Sequence, residues 1–172
     1  MLAVLRFIGV FNAAIWLGSG IFFTFGVAPG VFSPEMERVF PREYTGYIGQ
    51  VLIGRFFTFH FVCGLIALGH FFAEVIYAGK AFRRLTFGLL VGVLLLGGLG
   101  GFYFSPKIRA LHGQKYRGPV AQRPVAAKQL SRLHALSASA NLLSLLAIII
   151  YTWQVTNPSD PMRFVGTNKF RS

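Results

Sequence analysis

FTFHFVCGLIALGHFFAEVIYA, residues 57 to 78, is apolar enough to cross a bilayer, yet it carries His60, Cys63, His70 and Glu74. A membrane helix needs roughly 20 predominantly apolar residues, and this run supplies them. Titratable groups are costly in hydrocarbon and turn toward a bundle interior or a wet cavity. At about 100° per residue, Cys63, Ala67, His70 and Glu74 all fall within roughly 80° of His60. One narrow face thus holds the two imidazoles, the thiol and the carboxylate, and that face must look into protein. An apolar helix with a single polar face requires partner helices inside the membrane. The expected fold is all-α, an integral membrane four-helix bundle.

Composition agrees. The chain has 172 residues, of which 54% are hydrophobic, 19 are Phe and only 13% are charged, with a mean hydropathy of +0.58. A soluble domain would carry about twice that charged fraction. The single cysteine excludes an internal disulfide and any Cys-pair zinc motif; Cys63 reads as a small packing residue.

Working outward, four apolar segments stand out, over about residues 4–29, 51–79, 85–105 and 133–154, within one domain spanning 1–156. A polar tail, 157–172, follows. The first segment is read as a retained helix, since Arg6 precedes a long apolar run and not a short core with a cleavage site.

The connections carry most of the charge. Ser33 to Gln50 holds Pro34, Pro41 and charges of both signs, which predicts a turn and a short interfacial helix. The second connection is minimal, about Gly79 to Arg84. Residues 106–132 read as a large loop with Lys107, Arg109, Lys115, Arg117, Arg123, Lys128 and Arg132 and no acid. His112 within it is read as solvated. Four spans put the first and third connections on one side, with ten of the 17 basic residues, against seven on the other. The positive-inside rule then predicts a cytoplasmic loop 106–132, in a bacterial plasma (inner) membrane. The basic residues flank spans and lack the interleaved aromatics of a base-stacking surface. The expected partners are therefore the bilayer and its anionic head groups, together with other membrane subunits or a second copy, and no nucleic acid.

The other spans offer matching faces. His134, Ser137, Asn141 and Ser144 share one face of the fourth; Asn12, Trp16 and Ser19 share one of the first. Such polar stripes, with Cys63 on the second span, suit interhelical hydrogen bonding. Gly88/Gly92 and Gly97/Gly101, each four apart, predict a close-packed face on the third span.

Two candidate sites follow. His60 and His134 lie on spans entering from the same side; by depth they are expected to face one another, either as hydrogen-bonded interior histidines or as axial ligands of haem b. His70 and Glu74, one turn apart, are either a bonded pair whose carboxylate meets Lys80 or Arg83, or part of a transition-metal or proton site. Three classes of function remain open: an accessory protein or small subunit of a membrane complex, a haem- or metal-binding redox protein, and a small transporter or proton path through His60, His70 and Glu74. No phosphate loop, nucleophile elbow or placed acidic pair points to an enzyme.

WLGSGIFFTFGVAPGVF (16–32), FFTFHF (56–61), SPKI (105–108) and above all LHALSASAN (133–141) resemble the transmembrane protein 205-like family of small four-helix membrane proteins. The resemblance runs over about residues 12–145 and is most specific at His134, Ser137 and Asn141. It implies a helical membrane protein and no particular enzyme activity. His70 and Glu74 fall outside its pattern.

Overall fold

The computed structural model describes residues 2–157; the tail beyond Asn157 lies outside them. Four rods are long and apolar enough to cross a membrane: Ala3–Val39, Arg42–Tyr77, Arg84–Arg117 and Val120–Thr156. No strand occurs among the described residues. In chain order the elements are α1 (Leu2–Phe22), a π-helical turn (Phe23–Val27), α2 (Ala28–Val31), α3 (Pro34–Val39), α4 (Arg42–Tyr77), α5 (Arg84–Leu99), a second π turn (Gly100–Phe104), α6 (Ser105–Arg117), a 3-10 turn (Val120–Gln122) and α7 (Arg123–Thr156).

The rods run up, down, up, down. α1 and α5 each pack against both α4 and α7, which closes a square. Its centre is built from Ala13, Trp16, Cys63, Ala67, Phe71, Leu90, Val93, Ile148 and Tyr151. The outside is apolar as well: Phe7, Phe22, Leu95, Phe102, Leu143 and Ile150 are all exposed. An apolar exterior around a partly polar interior is the pattern that a hydrocarbon solvent selects.

The rods are longer than the expected spans. α4 has 36 residues, about 54 Å at 1.5 Å per residue, against a hydrocarbon core of about 30 Å. The excess lies on one side. Charge-free intervals run over 7–34, 56–73, 85–106 and 133–156, and on the side of the first and third connections they end at Glu35, Arg55, Lys107 and Arg132. Beyond that level α3, the first turns of α4, α6 and the first turns of α7 form a helical head.

Residues 106–132 are therefore not a loop. α6 and α7 form a hairpin over Ile108, Leu111, Ala126 and Leu130, with Phe104 and Leu133 packed beneath. Lys, Arg, Gln, Leu and Ala are strong helix formers, and charge alone does not end a helix. The reversal is confined to Gly118 and Pro119: Gly118 N donates to Gln114 O at 3.1 Å, and Arg123 Nε donates to Gly118 O at 3.0 Å.

Pro29 and Pro106, which look like terminators, sit inside continuous rods. Each occupies the first turn of the α segment that follows a π turn. Proline lacks a donor and crowds the carbonyl four residues back; a widened turn before it relieves both within an unbroken helix. The true breaks are elsewhere. Ser33 caps α3, its Oγ accepting from Met36 N, and Pro41 precedes α4. Gly79, at φ +63, turns the chain out of α4, and Lys80 N returns to Glu74 O at 3.3 Å.

Candidate functional site

His60 lies at the centre of the bundle, buried under Trp16. The indole Nε1 donates to His60 Nδ1 at 3.0 Å, and the two rings meet edge to face. Phe56 packs on the imidazole from α4 itself, and a Cβ at Gly97 would come within 3.1 Å of it. The adjacent cavity, reached by Ser137, Asn141 and Ser144 of α7, has a volume of about 20 Å³, room for a single water. The buried Ser137 Oγ has no protein partner among the described residues.

His134 is not in this layer. It lines a different cavity, together with Ile53, whereas His60 shares its cavity with Asn141. Seven residues separate His60 from Ile53 on α4, and seven separate Asn141 from His134 on α7. The two imidazoles thus differ by about 10 Å in level at 1.5 Å per residue. The expected facing pair is not formed, and with Trp16 bonded to one ring the residues present do not fit an axial haem pair. What sits opposite His134 is His112, which the sequence reading had left in solvent: both line the head cavity.

That cavity is the large one, about 350 Å³, within the range of small-molecule sites. It opens between the first turns of α4, α6 and the start of α7. Its polar lining includes Glu37, Arg42, Gln50, Lys115, His112 and His134. Arg42 grips Glu37 through Nε and Nη2 at 3.0 and 3.2 Å. Lys115 lies 4.7 Å from the Tyr116 ring centroid, and Tyr116 packs on His112. Gln50 is 6% exposed. Its Oε1 and His112 Nε2 are both buried without a protein partner among the described residues. Sequence reading misses Gln50 and Thr45 because it begins the second span at residue 51, and it places His112 in solvent because it reads residues 106–132 as a loop. The signal was present: at about 100° per residue Thr45, Gly49 and Ile53 continue the face of His60.

At the far end, His70 Nε2 stands 3.9 Å from Glu74 Oε1, too long for a hydrogen bond. Glu74 is held by Lys80 at 2.5 Å, and Arg83 lines the same cavity. Among the described residues His70 Nε2 and Tyr151 Oη are both buried there without a protein partner, at a cavity of about 30 Å³. Among the described residues no three His, Cys, Asp or Glu side chains cluster as metal ligands.

Two asparagines of the polar faces join helices. Asn12 Nδ2 donates to Cys63 O at 3.0 Å. Asn141 Nδ2 donates to Thr24 Oγ1 at 2.8 Å, and Thr24 passes the bond to Gly20 O. Ser19 Oγ donates within its own helix, to Trp16 O.

The glycine expectation is corrected in part. Gly97 does meet a neighbour, and Gly101 is in ordinary contact with Phe57, but Gly88 and Gly92 face open space. The tight partner of Phe57 is Gly100. Spacing by four shows that two glycines share a face, not that the face is a contact. Two further close approaches receive histidines: a Cβ at Gly9 would overlap the His70 ring, and one at Gly46 would overlap His112.

Fold and interior together define a multi-pass integral membrane protein, a four-helix bundle with a helical head on one side. The chain belongs to the family described as "Domain of unknown function (DUF4149)", whose model matches residues 11–117. The match takes in His60, His70 and His112 and stops before His134. No curated protein and no solved structure matches the chain.

Proposed function

We propose that this is an accessory protein of a bacterial inner-membrane complex, in which the bundle is a rigid anchor and the helical head, on the cytoplasmic side, carries the function. The observation that supports this reading is the closed interior. At His60 and at His70 the cavities hold about 20 and 30 Å³, a water or two each, and Glu74 is neutralised by Lys80. Trp16–His60, Asn12–Cys63 and Asn141–Thr24 spend the polar stripes on joining helices, as small polar residues do in membranes. The LHALSASAN segment further supports kinship with the transmembrane protein 205-like family. Proteoliposomes of the purified chain should show no proton flux above empty vesicles, and a crosslinker placed at the head should give one discrete heteromeric adduct in native membranes. A flux abolished by Glu74→Gln would overturn the reading.

A further inference from the structure

We propose that the head cavity binds a phosphate ester. The inference goes beyond the accessory role and rests on the cavity alone. A ligand-sized space of about 350 Å³ is lined by Gln50 and His112, whose Oε1 and Nε2 are buried without a bonding partner among the described residues; Gln50 is among the most buried polar side chains of the head. Buried polar atoms in folded proteins are normally bonded, so such a pair at one cavity marks where a partner belongs. The Gln50 amide can turn its nitrogen to the ligand.

Charge identifies the partner. The cavity's acid, Glu37, is already held by both nitrogens of the Arg42 fork. Lys115 adds a cation with no acid bonded to it there, next to the imidazoles of His112 and His134. Donor-bearing side chains lining one cavity beside an uncompensated cation suit a group with several anionic oxygens, and phosphate forms strong charge-assisted bonds to such a set. The floor is apolar, with Phe32, Ile53 and Leu130. Ile53 and His134 sit beside Arg55 and Arg132, where the charge-free intervals end. The organic part of an ester would therefore rest at the level where hydrocarbon begins. A phospholipid head group entering from the bilayer and a soluble phosphate monoester entering from the aqueous side present the same chemistry.

The test uses the full purified chain in detergent. One arm titrates glycerol 3-phosphate by calorimetry against glycerol; the other measures retention of phosphatidic acid by native mass spectrometry against diacylglycerol. One of the two phosphate probes should bind, and its phosphate-free counterpart should not. Lys115→Gln and Gln50→Leu should each weaken that binding at least about tenfold, the loss expected when a charge-assisted bond is removed. Lys128→Gln, an exposed basic residue outside the cavity, should leave it unchanged. Binding by phosphatidic acid alone assigns a lipid, and binding by glycerol 3-phosphate alone assigns a soluble ester. Binding by neither overturns the proposal. So does an equal loss in Lys115→Gln and Lys128→Gln, which would reduce it to diffuse surface charge. If Gln50→Leu does not fold, the comparison of Lys115→Gln with Lys128→Gln decides.

Discussion

The Trp16–His60 hydrogen bond joins the first two spans at the centre of the bundle, where neither partner can turn to water. Removing the indole donor leaves a buried imidazole nitrogen unsatisfied, so single substitutions overstate the bond. A double-mutant cycle of Trp16→Phe and His60→Leu isolates it. The coupling, read from unfolding in mixed micelles, should be about 0.6 kcal/mol and no more than about 1.7 kcal/mol, the range of interhelical bonds in membranes. Glycine gives a sharper contrast. Gly9→Ala places a methyl in the His70 ring and should cost about 1–3 kcal/mol, as overpacking does. Gly88→Ala and Gly92→Ala meet open space and should be neutral, or stabilising by up to about 1 kcal/mol through helix propensity. Equal losses at Gly9 and Gly88 in thermal unfolding would refute this assignment of faces. The sequence made the polar face of the second span legible, because cost in hydrocarbon forces His60, Cys63 and His70 inward. It did not show which glycine received each ring, since that depends on the rotation of the neighbouring helix.

α6 is the element where sequence reading and structure diverge most. Lys107, Arg109, Lys115 and Arg117 mark where the rod leaves hydrocarbon, but the helix continues past that level to Arg117. Ile108 and Leu111 on α6, with Ala126 and Leu130 on α7, were spaced to bury one face each. That pattern is shorter than a span and was masked by the charges around it. The same misreading started α4 nine residues late and removed Gln50 from view. Four spans, their order and the short second connection were legible because transfer into hydrocarbon dominates every other term there. A helical head is held by the ordinary, weaker rules of soluble packing. Limited trypsinolysis in detergent distinguishes hairpin from loop. Cleavage should come first after Arg117, at the Gly118–Pro119 turn, and well before cleavage after Lys107 or Arg109, whose amides lie within α6. Early cutting at Lys107 would restore the loop. Arg117 also donates to Glu43 at 2.8 Å, tying α6 to α4. The Arg117 side chain is largely exposed, so Arg117→Gln should leave thermal unfolding in detergent essentially unchanged.

At the scale of the whole molecule, orientation follows from where the cations lie. Among the described residues, ten basic residues belong to the head side and four to the other, and the head's share is packed within a few turns of the charge boundary, where the positive-inside rule counts most. Three of the head's acids, Glu35, Glu37 and Glu43, lie beside those cations, but acids weigh little in this rule. The head should therefore face the cytoplasm, the side on which a soluble phosphate ester or an anionic inner leaflet would meet the cavity. Val120 sits at the tip of the α6–α7 turn and is 76% exposed, so Val120→Cys reports the side directly. The native thiol gives little background, because Cys63 is 4% exposed at the bundle centre. A membrane-impermeant maleimide should label Val120→Cys in inverted inner-membrane vesicles and leave it unlabelled in intact spheroplasts. The reverse pattern would put the head outside and remove the cytoplasmic leaflet from contention as a source of the ligand. It would leave the cavity chemistry untouched, since Gln50, His112 and Lys115 line it whichever way the bundle is inserted.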